Sequence, residues 1–443
     1  MSAIARVLAE QGESVSGSDQ AVSAYSEALE ALGVPIAYGH TAENITGADL
    51  VLVSSAVPDT NAEVVAARQA GVPVMRREAF LAQLTAPYQV IAAAGTHGKT
   101  TTTGLIAWIL SEAGLDPSFI VGGVLLDFGS NAHAGSGKAF VIEADEYDRA
   151  FLGLRPDVAV VTSVEHDHPD CFPTPDDFRQ AFEQFAAQVQ RTLIVCADDP
   201  AAAALPTAAR RVTYGLAPEA DWRAEEIRAN GVGGCDFLVL HRGKVVGLVR
   251  TRLPGDHNVR NTLAALAVAE ELGVPFATAR QALTGYRGAS RRSEVIGEAG
   301  EVVVLDDYAH HPSEIRATLA GLRQRYPGRT LWAVFQPHTF SRVRALFDDF
   351  AACFGQADHV RITDIFAARE QPDGQTTSRA LAEHVRHADC RYSGSLEESA
   401  RQLVEQVEAN SVVVTLSAGD GNWIGKKLLE TLSVREGGRH AEG

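Results

Sequence analysis

One stretch constrains the fold of this chain more than any other: QVIAAAGTHGKTTTTGLIAWILSEAG, residues 89–114. An apolar run passes through a glycine-rich turn into a helical pattern that Gly114 ends. A strand that feeds a helix in this way belongs to layered α/β architecture. Gly95 and Gly98 allow close backbone approach, and the turn residues Thr96 and His97 lie between them. Amides ahead of the helix, with the helix dipole, favour a phosphate at that point. Lys99 would reach the β- and γ-phosphates, and the Thr100 hydroxyl would ligate Mg²⁺. The standard spacing GxxxxGK[ST] requires glycine at position 93, where this chain has Ala93, so the loop is a variant. Thr100, Thr101, Thr102 and Thr103 are poor helix formers. Capping needs one hydroxyl, so phosphate and metal binding explain the run better.

The same alternation of apolar runs and helical patterns fills the 443 residues, a length for two or three domains. A first segment, residues 1–85, starts in a helical pattern (Ile4, Val7, Leu8). It continues through ESVSGSD, read as a short strand ending in a turn, and ADLVLVSSAV, read as a buried strand. A second, residues 86–293, carries the phosphate loop. Its buried strands are AFVIEADE, DVAVVTSVE and RTLIVCADD, followed by an antiparallel meander over 224–251 and a helix in HNVRNTLAALAVAEELG. A third, residues 294–443, repeats strand and helix (EVVVLDDY, TLWAVFQP, DHVRITDI, SVVVTLSAG), as an independent doubly wound domain would. Low complexity is confined to the polar tail REGGRHAEG.

Charge and cysteine usage exclude several functions. With 39 basic and 56 acidic residues the net charge is −17, a poor match for nonspecific binding to nucleic acid or a membrane surface. An anionic substrate must then be held by placed cations, helix N-termini or metal ions. No apolar run reaches the roughly 18 residues of a membrane span, and MSAIARVLAEQG does not read as a signal peptide. The five cysteines are scattered, without a CxxC pair, as expected of reduced cytoplasmic thiols.

Two strand ends are crowded with ligating groups. FVIEADEYD brings Glu143, Asp145, Glu146 and Asp148, and VVTSVEHDHPD brings Glu165, His166, Asp167, His168 and Asp170. Carboxylates beside a phosphate loop suit Mg²⁺ that also bridges substrate phosphates. Glu143, nearest its apolar run, and His168 are the better ligand candidates. Asp148, Asp170 and His166 read as surface groups.

With GTHGKTTTT, EADE and DHPD in this order, the chain resembles the Mur ligase family, ATP-dependent amide-forming enzymes of peptidoglycan synthesis. PGDHNVRNTLAA, GASRRSE, DDYAHHPSEI, VFQPHTFSR and DIFAARE extend the resemblance over the whole chain. His97, DDYAHHPSE and QPHTFSR are most similar to the branch that joins L-alanine to UDP-N-acetylmuramate. The resemblance implies an α/β fold of three domains: a Rossmann-like UDP-substrate domain (1–85), a P-loop ATPase domain (86–293) and a Rossmann-like amino-acid domain (294–443). It implies ATP and Mg²⁺, a cytoplasmic monomer or homodimer, and no nucleic-acid or membrane partner. It also implies an acyl phosphate, made by moving the γ-phosphate to a carboxylate that an amine then attacks. Lys99, with Mg²⁺ at Thr100 and Glu143, would stabilise that transfer, and His168 would hold a second Mg²⁺. By motif, Asn258 and Asn261 fall near the adenine, and Arg292 near the transferred phosphate. Asp307, Tyr308 and His310 would face ATP and the amine, and His338 and Arg342 the amino-acid carboxylate.

In the first segment Ser2, Ser16, Asp19, His40, Ser54 and Ser55 are candidates for UDP contact; an exposed loop histidine explains His40 equally well. The family's first strand and glycine turn, IGIGGxGMSA, have no counterpart, because the chain begins at MSAIARVL. A start codon assigned too late accounts for this. A catalytically weak regulatory homologue is the competing account. A murein-peptide recycling ligase is the close enzymatic rival, but EYDRAFLGLRPDVAVV runs on without the extra residues usual there.

Overall fold

The computed structural model describes residues 1–441. Its largest element is a ten-stranded sheet built around Gln89–Ala94, in which five of the six residues are buried. This strand pairs in parallel with Ala139–Glu143 on one side and Val158–Val161 on the other. Beyond Ala139–Glu143 lies the hairpin of Ser118–Leu125 and Ser130–His133. On the other side follow Thr192–Cys196 and Arg210–Gly215, then the antiparallel meander Trp222–Ala229, Cys235–His241 and Lys244–Arg250. The central strands are continuous apolar runs because helices cover both faces. Lys99–Glu112 and Asp256–Glu271 pack through Leu105, Ile109, Leu263 and Leu266 on one face. Pro175–Ala187 packs through Phe178, Phe182 and Phe185 on the other.

A second sheet of six strands runs in the order Glu294–Ala299, Val302–Asp307, Ser411–Leu416, Thr330–Phe335, His359–Thr363, Cys390–Gly394. The first pairing is antiparallel and the rest are parallel. The N-terminal region holds two parallel ribbons of three-residue strands, Gly17–Asp19 with Ile36–Tyr38 and Val51–Val53 with Val74–Arg76. The first helix, Ser2–Glu10, buries Ala3, Ile4 and Val7 in the core that contains Leu81, Val90 and Phe140.

The strand reading departs from the structure in several places. Gly17–Asp19, read as a turn, is itself the strand, and ADLVLVSSAV contributes only Val51–Val53, of which Val53 alone is fully buried. Three residues are too few to display a two-residue period. The hairpin over 118–133 and the edge strands Glu294–Ala299 and Cys390–Gly394 were not legible either. Edge strands are half exposed and lack the continuous apolar run of central ones. The polar tail continues the final helix to Ala441, and residues 442 and 443 lie outside the described residues. Among the described residues no helix is long and apolar enough to cross a membrane.

Open α/β sheets place ligands at the carboxyl ends of their strands. Here the carboxyl ends of both sheets face each other. Ser313 Oγ donates to Glu165 Oε1 at 2.7 Å, and Asp167 pairs with Arg342 at 2.8 Å.

Candidate active site

The phosphate loop leaves Gln89–Ala94 at Gly95 and enters the helix at Gly98. Both glycines have left-handed backbones, with φ of 132° and 82°. A Cβ on Gly95 would strike Thr162, and one on Gly98 would lie 2.7 Å from Asn261 Oδ1. The loop is thus pressed against the neighbouring strand end and against the helix Asp256–Glu271. Thr96 is tied to Glu165 in both directions: its hydroxyl donates to the Glu165 carbonyl at 2.8 Å and accepts from the Glu165 amide at 2.9 Å.

Lys99 curls back over its own loop. Its ammonium donates to Gly95 O at 2.7 Å, Thr96 O at 3.1 Å and Glu146 Oε1 at 2.8 Å. Burial would lower its pKa, but the adjacent Glu146 carboxylate outweighs this and holds it above the ordinary value. The next residue, Thr100, donates through Oγ1 to Glu143 Oε1 at 3.0 Å, and Glu143 Oε2 accepts the Gly122 amide at 2.6 Å. Burial raises the Glu143 carboxyl above its usual range, with Lys99 opposing. His168, with φ of 55°, lies with Nε2 3.6 Å from Glu146 Oε1 and 3.8 Å from Asp167 Oδ2. The carboxylates of Glu143, Asp145 and Glu146 all act on the Lys99 ammonium, and His168 approaches that cluster through Glu146.

A cavity of about 220 Å³ opens beside the loop, lined among others by Thr101, Asn258, Asn261, Arg292 and Asp307. Tyr214 and Leu253 supply apolar wall. Asn258 Nδ2 donates to Pro254 O at 2.8 Å, which fixes its amide, and Asn261 Nδ2 donates to Asn258 Oδ1 at 3.2 Å. Arg292 lies over the Tyr308 ring at 5.3 Å and 3.7 Å from Glu314 Oε1. Asp307 ends its strand accepting from the Ser293 and Ala309 amides at 2.7 and 2.8 Å, and burial pushes its carboxyl up to about 6.

His97 joins the two sheets. Its Nε2 lies 2.9 Å from Glu165 Oε2, and its Nδ1 lies 3.3 Å from Glu314 Oε1 without hydrogen-bond alignment. Burial opposes protonation, yet the two carboxylates raise its pKa to about 9. His310 is the reverse case: burial lowers it to about 3, against the pull of Glu314. Its Nδ1 lies 2.9 Å from the Tyr308 carbonyl, which assigns the proton to Nδ1 and leaves Nε2 as the acceptor. The His310 and His338 rings meet edge to face at 5.8 Å. Arg342 Nη1 lies 3.1 Å from His338 Nδ1, while Nε and Nη2 both reach Asp167.

The N-terminal candidates are less concentrated. His40 Nδ1 lies 3.2 Å from Ser18 Oγ and 3.4 Å from Glu63 Oε1, and Asn44 donates to the same carboxylate at 2.6 Å. Asp19 is exposed and turns back to the Gln20 amide. Ser54 and Ser55 follow Val51–Val53, with the Ser54 carbonyl accepting from Arg76 at 3.1 Å. Ser2 opens the first helix, and Ser16 directly precedes the first strand. Sequence reasoning missed Glu314, Ser313 and Glu63. Their signals, a glutamate two residues after a histidine–proline pair and a helix-start glutamate, also read as ordinary capping, which Glu314 does provide.

Comparison with known proteins agrees along the full length. Residues 1–89 match the family described as Mur ligase family, catalytic domain; 93–269 match Mur ligase middle domain; 291–419 match Mur ligase, glutamate ligase domain. The UDP-N-acetylmuramate–L-alanine ligase of Roseiflexus sp. strain RS-1 is 46% identical, over 98% of this chain and 97% of that protein. The crystal structure of a UDP-N-acetylmuramate-alanine ligase from Thermotoga maritima superposes with a TM-score of 0.82 at 28% identity, covering 97% of this chain and 96% of that one. A murein peptide ligase from Psychrobacter arcticus gives 0.71 at 28% identity, covering 98% and 96%.

Proposed function

Because the chain belongs to the Mur ligase family, we infer that it is an ATP-dependent ligase of peptidoglycan precursor synthesis that joins L-alanine to UDP-N-acetylmuramate through an acyl phosphate. The observation that carries the reading is the meeting of the phosphate loop with the carboxyl ends of the second sheet, through His97–Glu314 and Ser313–Glu165. A γ-phosphate on the loop and an amine held by the second sheet would then share one enclosed space.

ATP would lay its phosphates along Gly95–Thr101 and its base in the cavity by Asn258 and Asn261. Lys99 would exchange the loop carbonyls for phosphate oxygens. Arg292 would neutralise charge on the transferred group, with Asp307 lining the same cavity. Preorganised cations of this kind act where charge develops. The donor set fits Mg²⁺: the Thr100 hydroxyl and Glu143 carboxylate are hard oxygens 3.0 Å apart. Bound at Thr100 and Glu143, with a second ion at His168, Mg²⁺ would offset the negative charge of the phosphates and the substrate carboxylate.

Burial keeps His310 neutral, so its Nε2 would accept a hydrogen bond from the incoming amine and orient it. The Tyr308 ring meets His310 edge to face at 5.4 Å, and Arg292 lies over the same Tyr308 ring. His338 and Arg342 are proposed for the amino-acid carboxylate; Nε and Nη2 of Arg342 are held by Asp167, so its Nη1 would have to turn from His338 to reach that group. Ser2, Asp19, His40, Ser54 and Ser55 are proposed for the UDP substrate, with domains at 1–85, 86–293 and 294–443. The reaction is placed in the cytoplasm. ADP release measured with UDP-N-acetylmuramate across a panel of amino acids and the tripeptide tests the reading. L-alanine should give the highest kcat/KM; stimulation by the tripeptide alone would overturn it.

A further inference from the structure

Glu146 stands between Lys99 and His168 in the carboxylate cluster. Only 1% of its side chain is exposed. Its Oε1 accepts from Lys99 at 2.8 Å and lies 3.6 Å from His168 Nε2. Its Oε2 is buried, and among the described residues no donor reaches it. A buried carboxylate oxygen without a partner is costly and calls for an explanation. The neighbouring acids do not share this condition. Asp145 pairs with Arg77 at 2.9 Å, Asp167 with Arg342 at 2.8 Å, and Glu143 accepts from both Thr100 and Gly122.

The charge balance of the cluster changes when nucleotide binds. Lys99 is the ammonium that neutralises Glu146, and it is also the group that must turn to the γ-phosphate. Once it turns, Glu146 is left buried and uncompensated, a state that proteins avoid strongly. A cation has to take the place of the ammonium. Oε2 is unpartnered among the described residues, and Oε1 of the same carboxylate lies 3.6 Å from His168 Nε2, so the two residues offer oxygen and nitrogen donors suited to Mg²⁺ or Mn²⁺.

We propose that Glu146 is a further ligand of the second divalent cation, together with His168, and that it neutralises Lys99 when that cation and the nucleotide are absent. The proposal rests on the reading of His168 given above. Lysine and metal thus exchange at one carboxylate, so the second ion enters as Lys99 leaves.

The test counts Mn²⁺ bound to the full-length protein by electron paramagnetic resonance, with the methylene analogue of ATP and UDP-N-acetylmuramate present. Wild type, Glu146→Gln and His168→Ala are compared. Two ions are expected for wild type. Glu146→Gln should keep the first ion and the ATP analogue while the second weakens about tenfold or more. A Glu146→Gln variant that holds two ions with unchanged affinity overturns the proposal. If His168→Ala loses the second ion while Glu146→Gln retains it, Glu146 alone is misassigned. If wild type binds one ion, or His168→Ala keeps both, the two-ion reading falls and this proposal with it. Loss of both ions together with the analogue from Glu146→Gln would assign Glu146 to holding the loop and would also overturn the proposal.

Discussion

Asp167 and Arg342, 175 residues apart in sequence, form a buried ion pair between the two sheets. Both are about nineteen-twentieths buried, and Asp167 Oδ1 accepts from Nη2 at 2.8 Å and Nε at 3.1 Å. Burial alone would raise the Asp167 carboxyl, but the guanidinium holds it well below the usual carboxylate range. Truncating one partner strands the other charge. Arg342→Ala should therefore cost about 3–5 kcal/mol of stability, read from urea unfolding. Asp167→Asn with Arg342→Met should recover most of that loss. A single variant as stable as wild type would refute the pair's structural role.

Lys99→Met should reduce kcat/KM for ATP by about three orders of magnitude, as loss of a phosphate-directed cation does, and should lower the melting temperature by leaving Glu146 unpaired. Adding Glu146→Gln should restore the melting temperature without restoring turnover. Wild-type turnover in Lys99→Met would refute the loop assignment.

Gly98 is held at φ 82° with Asn261 Oδ1 in the space a Cβ would need. Gly98→Ala carries about 1–2 kcal/mol of backbone strain and pushes on an adenine-side residue. The expected result is a raised KM for ATP, with KM for L-alanine little changed. Equal effects on both would indicate general loosening.

His97 gives a pH dependence with a defined sign. Its folded pKa of about 9 lies above its ordinary value near 6.5. The stability it contributes is complete below pH 6.5 and is lost as pH rises through about 9. The stability difference between wild type and His97→Gln should thus be largest near pH 6 and shrink by pH 9.5. A difference that grows with pH would show that Glu165 and Glu314 do not hold the charged ring.

Much of the first sheet and the phosphate loop could be read directly from the chain, because both depend on local order. QVIAAAG is an uninterrupted apolar run, and a strand covered on both faces can tolerate nothing else at its centre. Gly95, Gly98, Lys99 and Thr100 act through spacing within one turn, so their positions survive in the sequence as a pattern. The strand ends at Glu143 and His168 were visible for the same reason.

What only the tertiary structure decided is pairing. Nothing local says that Arg342 is already committed to Asp167, that Ser313 and Glu314 close over His97, or that Glu146 stands between Lys99 and His168. Such contacts join carboxyl ends of two sheets that are distant in the chain, and a charged residue's sequence neighbours do not record which opposite charge reaches it in space. The same limit explains the three-residue ribbons of the N-terminal region, too short to carry a period. The sequence by itself determined which groups are present and which strand end bears them. Packing of one sheet against the other determined which of those groups are paired, which are left buried without a partner, and so which are free to meet a ligand.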